Sequence, residues 1–84
     1  MLKKREISKA KKVYEALPDR VQAALKVNGR IYKQYRDEEN EERASRTSAQ
    51  IFAYLDALVD LRLVENDNWL LMYNYATSVL AENA

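Results

Sequence analysis

The sequence predicts an all-α fold: a small helical bundle of three to four helices, the third and fourth forming an antiparallel hairpin. Two observations carry that prediction. One glycine and one proline occur in 84 residues, so the strongest helix breakers are nearly missing while good helix formers abound. Apolar residues also recur at spacings of three and four, the period of a helix face rather than the alternation of a strand.

The first helix is read over residues 2–17. Ile7, Ala10, Val13, Tyr14 and Leu17 form its apolar stripe, and Lys4, Arg5, Lys9, Lys11 and Lys12 surround it. Pro18 stops that helix and suits the first turn of the next, with Asp19 beside it favouring the positive helix start. The second helix, over 18–36, carries Val21, Ala24, Leu25, Ile31, Tyr32 and Tyr35, which stay in phase across Asn28 and Gly29. Asn-Gly is a strong hairpin signal, but a hairpin would not preserve helical phase, and "QAALKV" before it does not alternate. The helix is therefore expected to run through, with a cap at Gly29 as the alternative.

The run "DEENEER" from Asp37 has no apolar residue to bury. It either extends the second helix to about residue 44, with Lys33 and Asp37 one turn apart as support, or forms a mobile linker. Thr47 with Gln50 three residues on matches a capping box, which starts a third helix over 48–64 with Ile51, Phe52, Leu55, Leu58 and Val59 on its apolar face. "ENDN" is a short connection rich in cap residues, which implies an antiparallel neighbour. The fourth helix, over 68–81, places Trp69, Met72, Tyr73, Ala76, Val79 and Leu80 on one face and Leu70, Leu71 and Tyr75 away from it. A helix apolar nearly all round is buried on more than one side. A second subunit is the expected cover, which predicts a homodimer with Leu70, Leu71 and Tyr75 at the interface. Asn28, seven residues from both Val21 and Tyr35, is expected there too, where a buried polar residue sets helix register.

Composition argues against catalysis. There is no Cys and no His, hence no thiol nucleophile, thiolate or imidazole metal ligand, or imidazole base. No Gly-rich phosphate cradle or nucleophile elbow occurs, and the acidic run reads as a solvated face. The expectation is a non-enzymatic chain with no cofactor, no metal and no small-molecule substrate. No window reaches the roughly 18 apolar residues of a membrane span, and the basic start lacks an apolar signal region, so the expected location is cytoplasmic.

Charge supplies the functional signal. Up to Arg36 the chain has 11 Lys+Arg and 3 Asp+Glu, and from Asp37 onward 3 Lys+Arg and 10 Asp+Glu, so a net charge of +1 hides two opposed halves. Lys26, Arg30 and Lys33 on the second helix join Lys4, Arg5, Lys9, Lys11 and Lys12 on the first as a basic face. The expected function is that of a small interaction or regulatory protein of adaptor or inhibitor type. Its basic half would steer an acidic protein partner and the apolar fourth helix would supply affinity. The alternative is a nucleic-acid-binding regulator that contacts the phosphate backbone. In general pattern the chain resembles small helical adaptors, regulators and inhibitors of bacteria and their mobile elements, with no motif that carries individual residues across.

Overall fold

Pro18 makes the first corner of the chain. The residue before a proline is pushed out of the helical region, and the first helix ends ahead of it. In the computed structural model, which describes residues 2–82, this helix is α1 (Lys4–Glu15), followed by α2 (Asp19–Asp37), α3 (Glu41–Asp60) and α4 (Trp69–Tyr75). A 3-10 turn (Asn66–Asn68) leads into α4, and a π segment (Ala76–Leu80) continues it. These four helices, with no strand among the described residues, form an all-α bundle.

The α1–α2 corner is held by polar contacts. The Tyr14 hydroxyl donates to the Gln22 carbonyl at 3.0 Å, and Gln22 Nε2 donates to the Leu17 carbonyl at 2.8 Å. α2 then runs unbroken through Asn28 and Gly29; no glycine in the described chain has a positive φ.

The acidic run turns out to be a tight reversal, neither a helical extension to residue 44 nor a linker. Glu39 adopts a left-handed conformation (φ 56°). The Asn40 N–H donates to the Tyr35 carbonyl at 2.9 Å and the Glu39 N–H to the Arg36 carbonyl at 3.1 Å. This is the Schellman arrangement that satisfies a helix's last carbonyls, made here without glycine. Asn40 then caps α3, its Oδ1 accepting from the Arg43 N–H at 3.2 Å. Glu41 and Glu42 lie in the positive first turn, which favours them.

Helix α3 therefore begins seven residues earlier than the expected 48. Thr47, read as a cap, is buried in mid-helix and donates its hydroxyl to the Arg43 carbonyl at 2.9 Å. α3 also stops at Asp60, short of 64, through a second left-handed residue, Arg62 (φ 63°). Around it the Leu63 N–H donates to the Leu58 carbonyl at 2.9 Å. A non-glycine residue in this conformation costs about 1–2 kcal/mol, and glycine's larger unfolded entropy cancels part of the relief. Arg62→Gly should therefore raise stability by about 0.5–1 kcal/mol in urea unfolding. An unchanged midpoint would show that Arg62 is not held left-handed.

Pairings fix the packing. Ser48 shares a hydroxyl–hydroxyl hydrogen bond with Tyr73, and Phe52 meets Trp69 edge-on with ring centroids 4.3 Å apart. The reversed order of these pairs makes α3 and α4 antiparallel. Leu25 from α2, Ile51 and Leu55 from α3, and Met72 from α4 are fully enclosed at the centre. α1 lies on the far side of α4, where the Tyr14 ring tilts against the Tyr75 ring at 5.8 Å. Burial raises the pKa of both phenols.

The C-terminal segment packs on α2 at Gly29. A Cβ on residue 29 would stand 2.6 Å from the Ala76 carbonyl oxygen and 3.4 Å from the Ala81 nitrogen. The glycine is therefore required by the close approach of a neighbouring backbone within the helix interior. Within the π segment the Thr77 hydroxyl donates to the Tyr73 carbonyl at 3.0 Å, a back-bond of the kind that bends helices.

Two of the interface assignments change. Tyr75, expected to meet a second subunit, is only 5% exposed and is covered by α1 of its own chain. Leu71 is half-buried against the same core. The second apolar side of the fourth helix is thus closed within the chain, because α1 occupies the position assigned to a partner. Asn28 is half-buried, and its Nδ2 donates to the Ala24 carbonyl one turn back at 2.8 Å, so its polarity is met locally. Leu70, at 57% exposure, is the one strongly exposed large apolar side chain of α4. No described helix is long and apolar enough to cross a membrane.

Candidate polyanion-docking face

Helix α1 has two chemically distinct sides. Ala10 is fully buried, and Ile7, Val13 and Tyr14 pack around it on the core. With that stripe fixed, the 3.6-residue repeat turns Lys4, Arg5, Lys9, Lys11 and Lys12 to solvent, and all five are exposed, as is Lys3 just ahead of the helix. At about 1.5 Å per residue, the cations from Lys4 to Lys12 are spread over roughly 12 Å of helix.

None of them is neutralised inside the fold. Among the described residues the ion pairs are Lys33–Asp37 at 2.7 Å and Arg46–Glu42 at 3.5 Å, both between residues one turn apart on a single helix. Neither pair involves a cation of α1. Glu6, the acidic residue in the first turn of α1, accepts the Lys3 backbone N–H at 2.9 Å and so caps the helix rather than a lysine.

The basic residues of α2 divide. Lys26 and Arg30 are exposed and unpaired among the described residues. Lys33 is half-buried and bound to Asp37, which raises its pKa chiefly through that hydrogen bond, with smaller contributions from the charges of Asp37 and Glu82. It lines a shallow polar cleft of about 340 Å³ with Tyr32, Arg36, Asp37, Thr77 and Glu82. Both signs of charge meet there, so Lys33 does not join Lys26 and Arg30 in a uniformly basic stripe as expected. α1 and α2 touch chiefly around the Pro18 corner, because α1 rests on α4. The basic side of α1 is thus a surface of its own.

Two arginines lie over aromatic rings. Arg36 lies over the Tyr32 ring at 5.9 Å, and Arg43 lies over the Tyr35 ring at 5.8 Å. Each guanidinium is drawn to the negative face of an aromatic ring. The signal was present at i and i+4 for Tyr32 and Arg36, but the Tyr35–Arg43 contact depends on the reversal at Glu39, which is not written in glycine. Among the described residues no group of acidic side chains converges to hold a metal ion. Scans against protein-family models, curated proteins and solved structures gave no significant match.

Proposed function

We propose that this chain is a non-enzymatic interaction protein, of adaptor or inhibitor type, that docks an acidic protein partner on the outer face of α1 in the cytoplasm. The supporting observation is that five cations on one helix, Lys4, Arg5, Lys9, Lys11 and Lys12, are solvent-exposed and unpaired while the opposite stripe anchors the helix to α4. A pinned helix presents charge at fixed positions, which steers and orients encounter more than it adds affinity. Leu70, exposed on α4, offers a separate apolar contact. Glu15 interrupts the basic side, and no aromatic side chain stands exposed there to stack on bases. These features favour an acidic protein surface over a phosphate backbone.

The test uses labelled poly-L-glutamate and a labelled DNA duplex in fluorescence anisotropy at physiological salt. Wild-type protein should bind poly-glutamate, and the combined Lys4→Glu, Lys9→Glu and Lys12→Glu variant should bind it at least roughly tenfold more weakly, a difference of about 1.4 kcal/mol. Its circular dichroism should be unchanged, because all three residues are exposed. Tighter binding to the duplex, falling steeply with salt, would instead support the nucleic-acid alternative. Absence of binding to either polyanion would overturn the reading.

A further inference from the structure

The α2–α3 hairpin carries a second surface that the basic face of α1 does not use. The cation–π contact of Arg43 with Tyr35 fixes the flank that each helix turns to the other. One step round from that flank, on the outside, stand Val27 and Ile31 of α2, 50% and 36% exposed. The corresponding step on α3 brings out Ala53, Ala57 and Leu61, the last 69% exposed. Spacings of four make each set a ridge, bulky on α2 and small on α3 up to Leu61. Buried Leu25 and Gly29 on α2, and Ile51 and Leu55 on α3, face the opposite way. No described part of the chain covers this side.

We propose that this face binds a second copy of the same chain, in a twofold dimer that sets α2 of each protomer against α3 of the other. A twofold interface must be self-complementary, with residue i meeting j and j meeting i. The hairpin meets that requirement in shape, because the Val27–Ile31 ridge can seat on Ala49 and Ala53, the exposed small residues of the same α3 ridge that lie at its level in the partner. It also meets it in charge. The N-terminal half of α2 is basic, with Arg20, Lys26 and Arg30 exposed, and the level of α3 beside it is acidic, with Asp56 and Asp60 exposed. At the other end the charges are mixed, with Asp37 paired to Lys33 and Arg46 to Glu42 within their own helices. A twofold axis running between the helices brings the basic end of each α2 onto the acidic end of the partner's α3. The area suffices: helices of 19 and 20 residues offer a face about 30 Å long and about 20 Å wide. Its corrugated surface approaches the ~800 Å² per partner of a standard interface. This inference is independent of the docking role of α1, which lies on another side of the molecule.

Sedimentation equilibrium of the full chain tests it. Wild-type protein should have twice the single-chain mass, and Val27→Glu should weaken dimerisation by roughly 100-fold with an unchanged helical spectrum. Arg20→Asp alone and Asp60→Arg alone should each weaken the dimer. The double variant should restore it, because the reversed charges meet again across the axis. A monomeric wild type at about 100 μM, or a dimer broken by Leu70→Glu and not by Val27→Glu, would overturn the proposal. So would failure of the double charge swap to recover the dimer lost in either single variant.

Discussion

Gly29→Ala should lower stability by about 2 kcal/mol, although alanine is the better helix former by about 1 kcal/mol. The added methyl carbon would lie 2.6 Å from the Ala76 carbonyl oxygen, a distance no packed Cβ tolerates. Overpacking typically costs about 1–3 kcal/mol. Here the obstacle is backbone, with no flexible side chain to swing away, so the cost sits at or above the top of that range. For a domain this small, the net loss corresponds to a fall in Tm of roughly 8–16 °C. Thermal unfolding followed by circular dichroism measures it. Ala76→Gly in the same background should not rescue, since the clash is with an oxygen that every residue carries. A more stable Gly29→Ala variant would mean that the π segment does not lie on α2 at this point.

Tyr75→Ala should cost about 3–5 kcal/mol, the range for removing a buried aromatic ring, and should release α1 before the rest of the fold. Tyr75 is the α4 side of the ring contact that seats α1, with Tyr14 opposite at 5.8 Å. Amide exchange is the discriminating measurement: protection should fall first over Lys4–Glu15 and last in the α2–α3 hairpin. Tyr75→Phe should stay within about 0.5 kcal/mol of wild type, because the stabilisation lies in ring packing. Equal loss of protection across all helices would show that α1 is not a separately anchored element.

How legible this was in the sequence depended on the physical signal each feature leaves. Read-through at Asn28 and Gly29 was visible because helical phase is a long-range pattern, and Val21, Leu25 and Tyr32 keep it. The corner at Pro18 was visible because proline acts through its own ring. The reversal at Glu39 and Asn40 was not, since the usual mark of a helix end is glycine in the left-handed position and the chain uses Glu39 and Arg62 instead. Missing that turn displaced the start of α3 and promoted Thr47 to a cap. At the candidate surface, the α1 cations could be placed from their spacing alone. What covers Leu71 and Tyr75 could not, because an apolar helix side carries no label saying whether its cover is another chain or an earlier segment of its own.

The contact between Gly29 and Ala76 joins residues 47 positions apart, and that separation has a consequence for the order in which the protein acquires its shape during synthesis. Hairpin α2–α3 can close as soon as residue 60 has left the ribosome, since its turn is locally capped at Glu39 and Asn40. The groove over Gly29 stays open until Ala76–Leu80 emerges to fill it. During that interval the nascent chain displays an uncovered strip of α2 backbone flanked by Leu25 and Tyr32.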